Sequence, residues 1–384
     1  MTLLPLAAPA EAGHSGIRRM TTLAAAVPGA IRLDVGDPDF PTPAWVAEAG
    51  RQAIAEGDTH YTPTSGRPEL LVALQAKLLR VNGYAAPPGS ITCATGGVGA
   101  IAAAFAAILE PGDEVLLPDP GWPNYTMMLP WTHARGVRYP CPAEAGFLPD
   151  PDRVEQLVGP RTRLLVVNSP NNPTGAVYPR PLLAALGAVA ERRGLWLLSD
   201  ECYDEVIFDG SPVSPAAWLG TDRVVSVYTF SKTYAMTGWR LGYATGPARL
   251  IETMVKVLES NSSCTSTIAQ RAAEAALAGP QDVVRTMVAA YRRRRDTAVA
   301  VLREAGLCLS VPQGAFYIMA DVSPRGQESS AFAETLLRDQ GVSVVPGTAF
   351  GTVAPASVRV SLASSDSDLE VGLRRLAAFV RHHG

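Results

Sequence analysis

The chain has 384 residues, 33 basic and 36 acidic side chains and a formal net charge of −3, a balance that predicts neither nucleic acid nor an anionic membrane surface as a partner. Hydrophobic residues at 47% and charged residues at 18% exclude a disordered chain, and the length allows one large core plus a second, smaller domain. The longest apolar run, residues 100–109, is half the length of a membrane span, so no membrane is expected.

The first sixteen residues are small and apolar with no basic stretch ahead of them, which reads as a flexible arm rather than a signal peptide; the arm is taken as residues 1–30. Residues 31–35 form a strand-like run. It ends in Gly36-Asp-Pro-Asp-Phe-Pro-Thr-Pro, a turn-rich loop from which Pro43 opens a helix to residue 56. A second loop, Tyr61-Thr-Pro-Thr-Ser-Gly, precedes an amphipathic helix over 69–80. From residue 90 the pattern is regular. Strand-like runs at 91–95, 114–118, 163–168, 195–199, 224–230 and 241–245 are mostly separated by helix-like segments such as 100–109 and 180–193. This alternation predicts an α/β domain with an open, mostly parallel sheet covered by helices on both faces. Beyond residue 280 come a basic helix (283–302), a strand pair (307–311 with 315–320) and a helix (329–340). Strands at 342–346 and 358–362 and a final helix (366–380) complete a smaller α+β domain. The expected division is a large domain over 46–279 and a small one over 280–384, joined by residues 31–45.

Five cysteines (Cys93, Cys141, Cys202, Cys264, Cys308) are scattered, odd in number and without a C-x-x-C pair, the pattern of reduced thiols in a cytoplasmic protein. The five histidines lack ligand spacing, so no metal site is expected. Lysine is scarce: Lys77, Lys232 and Lys256 are the only three, which leaves 30 of the 33 basic residues as arginine. Lys77 and Lys256 fall in helix-like segments and read as solvated face residues. Lys232 stands at a strand end, between Ser231 and Thr233 and eight residues before Arg240. A lysine kept there points to amine chemistry that arginine cannot supply.

In an open α/β sheet, ligands bind at the carboxyl ends of the strands. Those ends carry a chemical theme. Gly96-Gly97-Val98-Gly99 opens a helix with free N–H groups suited to a phosphate. Trp122 follows the second strand, Asn171-Asn172-Pro-Thr-Gly the third, Asp200-Glu201-Cys202-Tyr203 the fourth, and Ser231-Lys232 the fifth. A phosphate cradle, a flat aromatic, an amide, an acid, a phenol and an amine would together hold pyridoxal phosphate, with Lys232 as the attached amine and an acid on the pyridine nitrogen. The glycine loop alone also satisfies a relaxed dinucleotide fingerprint, with Asp119 22 residues past Gly97. A nicotinamide dehydrogenase, however, leaves Asn172, Asp200, Tyr203, Lys232 and Arg240 without a role.

With these motifs, and with Gly314-Ala-Phe-Tyr and Val358-Arg359-Val-Ser, the chain resembles the class I/II (fold type I) pyridoxal-phosphate aminotransferases, aspartate and aromatic branch, over residues 33–379. The resemblance implies an aminotransferase acting on an L-amino acid and a 2-oxo acid by a ping-pong route. Lys232 would carry the cofactor and move the proton between the substrate Cα and the cofactor. Asp200 would pair with the ring nitrogen, and Asn172 and Tyr203 would hold the ring oxygen. Gly97, Val98, Ser231 and Arg240, with Thr229 as a further candidate, would hold the phosphate, and Trp122 would stack on the ring. Arg359 would clamp the substrate α-carboxylate, assisted by Gly36 and Asn172. Tyr61 would reach the phosphate of a neighbouring subunit, implying a homodimer. Val98 departs from the family pattern by placing an apolar side chain beside the phosphate. A cation for a second substrate carboxylate is sought among Arg18, Arg19 and Arg32. The competing readings are another reaction on the same cofactor, of C–S β-lyase or amino-acid oxidase type, and a cofactor-sensing regulator domain, for which too few residues precede the core.

Overall fold

The computed structural model describes residues 15–210, 214–219 and 222–381. In chain order the elements are α1 (Gly16–Ala25), β1 (Ile31–Arg32), α2 (Ala44–Ala55), α3 (Pro68–Lys77), β2 (Ile91–Ala94), α4 (Gly96–Ile108), β3 (Glu114–Asp119), α5 (Asn124–Thr132), β4 (Arg135–Pro140), α6 (Pro151–Gln156), β5 (Thr162–Asn168) and α7 (Arg180–Arg193). There follow β6 (Trp196–Asp200), β7 (Val224–Thr229), α8 (Phe230–Thr233), β8 (Gly242–Thr245), α9 (Ala248–Ser262), α10 (Thr267–Ala278), α11 (Asp282–Glu304), β9 (Tyr317–Asp321), α12 (Ser329–Gln340), β10 (Val342–Ser343), β11 (Val345–Pro346), β12 (Ser357–Ser361) and α13 (Asp366–Arg381).

Seven strands form the central sheet in the order β2-β8-β7-β6-β5-β3-β4, and only β8 runs against the rest. The buried strand β5 shows why this sheet needs cover on both sides. Leu164 and Val166 enter one core with Ile101, Phe105 and Met254, whereas Leu165 and Val167 enter another with Leu183, Leu186 and Leu197. Successive side chains point to opposite faces, so a strand apolar at every position can be satisfied only between two helical layers. Helix α7 illustrates the punctuation: Pro181 lies in its first turn, and Gly194 closes it in the left-handed conformation, donating to the Ala190 and Glu191 carbonyls. A third core joins α3 and α10 beyond β2 and β8, and a fourth lies under the antiparallel sheet β11-β12-β9 with α11, α12 and α13.

Several expectations need correction. The segment read as a flexible arm contains α1, capped by the Ser15 hydroxyl and packed on α12 and β11; residues 1–14 lie outside the described residues. The strand pair 307–311 with 315–320 is reduced to a single bridge between Cys308 and Ala320. Pro312 has no N–H to give a ladder, and the N–H groups of Gln313 and Gly314 are taken by the Gly175 carbonyl. Strand β4 was not expected: it is a half-exposed edge strand without an apolar run. Lys77 is not a solvated face residue but a buried one, 4% exposed, whereas Lys256 is exposed and paired with Glu252. Among the described residues no helix is long and apolar enough to cross a membrane.

Candidate active site

The carboxyl ends of β3, β5, β6 and β7 and the N-terminus of α4 open on one cavity of about 500 Å³. Gly36, Gly97, Val98, Trp122, Asn172, Asp200, Tyr203, Thr229, Ser231, Lys232, Arg240 and Arg359 all line it. Of the residues that the resemblance assigns to cofactor or substrate, Tyr61 lies elsewhere. It is 88% exposed, on a separate surface depression with Thr59, His60 and residues 264–268.

At one end, α4 begins with Gly96 at φ +72°. A Cβ there would meet Arg240 Nη2 at 2.5 Å, one at Gly97 would meet Cys202 Sγ at 2.6 Å, and one at Gly242 would meet the Gly96–Gly97 backbone at 2.6 Å. The glycines thus let Arg240 and strand β8 close on the helix N-terminus, where unpaired N–H groups and the helix dipole favour an anion. Thr229 caps the short helix α8, accepting from Ser231 N at 3.2 Å while its hydroxyl meets that of Ser231 at 3.0 Å. The cap sets Lys232 one residue further, pointing into the cavity.

Lys232 Nζ donates to the Gly36 carbonyl at 2.7 Å. Burial pushes its ammonium down to about 8; Asp37 works against that shift and the positive Arg240 and Arg359 add to it. Gly36 must be a glycine because a Cβ would come within 1.9 Å of the Tyr317 hydroxyl. Across the cavity Asp200 is buried, which raises its carboxyl above the usual range. Hydrogen bonds from the Tyr125 hydroxyl and from Cys202 N, the latter at 3.2 Å, oppose the rise. Tyr203, also buried, shares a hydrogen bond of 2.9 Å with Tyr317, and burial holds its phenol well above its ordinary value.

Arg359, on β12, is 1% exposed and lies between the rings of Tyr317 and Phe350, at 4.3 and 5.0 Å from their centroids. Its Nη1 donates to Asn172 Oδ1 at 3.0 Å and its Nη2 to the Asp34 carbonyl at 2.6 Å, while its buried Nε has no partner. A buried guanidinium with an orphaned N–H and no ion pair among the described residues is a site built for an incoming anion. Of the three arginines considered for a second carboxylate, Arg19 is paired with Glu334 and Arg32 with Asp34 at 2.8 Å. Arg18 lines the cavity mouth and has no ion pair among the described residues.

Tyr125 is not singled out in the sequence, and Tyr317 stands in Gly314-Ala-Phe-Tyr without an assigned role; their hydroxyl partners, Asp200 and Tyr203, reveal what each does. Asp119, the acid at ribose-binding spacing, faces no ligand; it accepts from Thr352 N and Oγ1 (both 2.9 Å) and from Val353 N, tying the end of β3 to the loop before β12.

A model of the family described as aminotransferase class I and II matches residues 28–376. The chain belongs to that family. It is 42% identical over 351 residues to the aspartate/prephenate aminotransferase of Thermus thermophilus, covering 90% of each chain. The structure of the aspartate aminotransferase of Thermus thermophilus with maleate matches at a TM-score of 0.93 and 39% identity, over 98% of this chain and 100% of that one. The aspartate aminotransferase of Rhizobium meliloti matches at 0.94 and 37%, over the whole of both chains. The protein is therefore a pyridoxal-phosphate-dependent aminotransferase that moves an amino group between an L-amino acid and a 2-oxo acid. The residues of this aminotransferase fit the cofactor: a glycine cradle that any Cβ would fill, a buried acid held by a buried phenol, and an amine lowered to about 8, so that a neutral fraction is available near pH 7.

Proposed function

We propose that the cavity performs transamination on dicarboxylic substrates, with roles as follows. Pyridoxal phosphate, when bound, supplies an electron sink for the negative charge that develops at the substrate Cα. Gly97 and Val98 N–H groups, Ser231 and Arg240 would hold its phosphate, with Thr229 orienting Ser231, and Trp122 would cover its ring. Asp200 would pair with the ring nitrogen, and Asn172 and Tyr203 would hold the ring oxygen. Lys232 Nζ, lowered toward neutrality, would take the proton from the substrate Cα, which is what a base poised near the working pH does well. Arg359 clamps the α-carboxylate beside Asn172, and the carbonyl of Gly36 fixes the amine. Residues 46–279 then act as the cofactor-holding part and 280–384, with 31–45, as the part that brings the clamp. Tyr61, turned outward, serves the site of a second subunit, so the working unit is a homodimer, and five free cysteines suit a cytoplasmic setting.

The observation that carries the substrate class is Arg18, a cation on the cavity rim without an anionic partner among the described residues. The aspartate/prephenate aminotransferase among the relatives and the dicarboxylate maleate in the Thermus structure support the same reading. The experiment is a single turnover of purified protein with a panel of amino acids and no acceptor. Aspartate or glutamate should react fastest, releasing one equivalent of 2-oxo acid per site and no ammonia or peroxide. Free ammonia or peroxide would instead place the reaction in the lyase or oxidase class. Arg18→Ala should lower kcat/KM for the dicarboxylates about two- to fivefold, the worth of a rim ion pair, and leave alanine unchanged. Equal losses on both would remove Arg18 from substrate recognition.

A further inference from the structure

Behind the cavity wall lies a second polar cluster that the reaction does not use. Lys77, the last residue of α3, points its ammonium away from solvent and donates to the Asp204 carboxylate and, at 2.8 Å, to Asn82 Oδ1. Glu205 lies 3.9 Å from the same ammonium, and Asn82 Nδ2 donates to Asp204 at 3.0 Å. After Lys77 the helix widens into a π-turn over Leu78–Asn82, closed by Gly83 at φ +77°. A turn with i→i+5 bonding sets residue i+5 beside residue i, which is how Asn82 reaches Lys77.

The carboxylates belong to the segment that serves the cofactor. From β6 onward the chain runs through two tight turns, Asp204 N to Glu201 O at 3.0 Å and Val206 N to Tyr203 O at 2.8 Å. Asp200 and Tyr203 face the cavity, while Glu201, Asp204 and Glu205 face the rear. At the rear, Glu201 accepts from Ser214 Oγ and Tyr228 OH, both at 3.0 Å, and Tyr228 in turn meets Tyr84. The Lys77 ammonium lies 4.8 Å above the Tyr228 ring, and the space left beside it is about 10 Å³. Burial pulls the Lys77 ammonium down, but Asp204 and Glu205 more than offset it, so it stays charged.

We propose that Lys77 is a positioning residue: through its buried ion pair with Asp204 it fixes the turn that carries Asp200 and Tyr203 into the cavity. The proposal rests on the assignment of those two residues to the cofactor ring. Asp204 follows Tyr203 directly, so a displacement of the anchor moves the phenol with it, and errors of about 1 Å in such groups cost up to about 100-fold in catalysis.

The test uses the full chain stripped of cofactor and titrated with pyridoxal phosphate. Asp204→Asn keeps volume and the Asn82 contact but removes the ion pair; Lys77→Met/Asp204→Asn removes both charges. Val154→Ala, a buried change in α6 remote from the cavity, reports plain destabilisation. We expect both charge variants to bind the cofactor at least tenfold more weakly and to shift the pH midpoint of its visible absorption, even where the melting temperature of the double variant matches the parent or Val154→Ala. Affinity and midpoint that follow melting temperature alone, or that do not change, would overturn the proposal. Asp200→Asn and Tyr203→Phe are measured alongside. If they leave affinity and midpoint untouched, the ring assignment itself is wrong; if they shift them and Asp204→Asn does not, only the positioning role fails.

Discussion

Lys232 and Lys77 are both buried amines, and their neighbours send them in opposite directions. Beside Lys77 two carboxylates restore what burial removes, so the group stays cationic and serves as a tether. For Lys232 burial dominates; Asp37 and Cys202 raise it less than burial lowers it, Arg240 and Arg359 lower it further, and it falls to about 8. A shift of one pKa unit corresponds to about 1.4 kcal/mol, so keeping Lys232 protonated at neutral pH costs the fold on the order of 3–4 kcal/mol. The folded-state value lies below the unfolded one. The cost is therefore present at low pH and disappears as pH rises from about 8 toward the ordinary value. The neutral amine is the nucleophile, so capture of pyridoxal phosphate by the cofactor-free protein should speed up as pH rises from 6 to 8 and level off above about 9. Stopped-flow absorbance gives the midpoint. A rate that keeps climbing to pH 10 and beyond would mean that Lys232 is not depressed. After borohydride reduction and denaturation, the parent should retain the cofactor and Lys232→Ala should not.

At the scale of the element, the turn after β6 concentrates four carboxyl groups in six residues, Asp200, Glu201, Asp204 and Glu205, with one ammonium behind them. Burial raises Glu201 and Glu205 from their ordinary 4.5 to about 7 each. Groups raised in the folded state bind more protons there than in the unfolded chain. Their contribution to stability is full below about 4.5 and is lost as pH rises through about 7. Urea unfolding of the cofactor-free chain should therefore show stability falling between pH 5 and 7.5, a window below that of Lys232. Glu201→Gln/Glu205→Gln should flatten the fall by a few kcal/mol, from shifts of about 1.4 kcal/mol per unit. Equal slopes in parent and variant would contradict the raised values. This turn also marks the limit of what the sequence discloses. Asp200 and Tyr203 are legible because strand ends in an α/β sheet announce a site, and α7 and α12 are legible because period and punctuation agree. The role of Lys77 is invisible: a lysine in a helix-like run looks the same whether its face meets solvent or a buried acid brought there from 127 residues away. Strand β4, with Arg135, Gly136 and Arg138, lacks the apolar run that betrays a strand, because it pairs on one edge only. Tyr125 and Tyr317 report their roles only through partners distant in sequence.

For the whole molecule, the outward position of Tyr61 is held firmly. Thr267 Oγ1 donates to the His60 carbonyl at 2.6 Å, and Gln270 Nε2 to Thr62 Oγ1 at 2.9 Å, so the loop is fixed on α10 while the ring faces solvent. An exposed aromatic held this way, with no partner in its own subunit's cavity, fits the proposed homodimer in which each subunit completes the other's phosphate site. The arrangement has a consequence for hybrids. A Tyr61→Phe dimer should bind pyridoxal phosphate about tenfold more weakly at both sites, the worth of one hydrogen bond to a charged group. A Lys232→Ala dimer should not hold it covalently at all. In a dimer with one subunit of each kind, purified through two different tags, Lys232 of the Tyr61→Phe subunit meets the intact Tyr61 of its partner. That site should bind with parental affinity and turn over, giving one active site per dimer. If Tyr61 served its own subunit, the hybrid would contain no site with both groups and would behave like the weaker parent variant. A monomer at working concentration, or a Tyr61→Phe variant indistinguishable from the parent, would remove the shared site altogether.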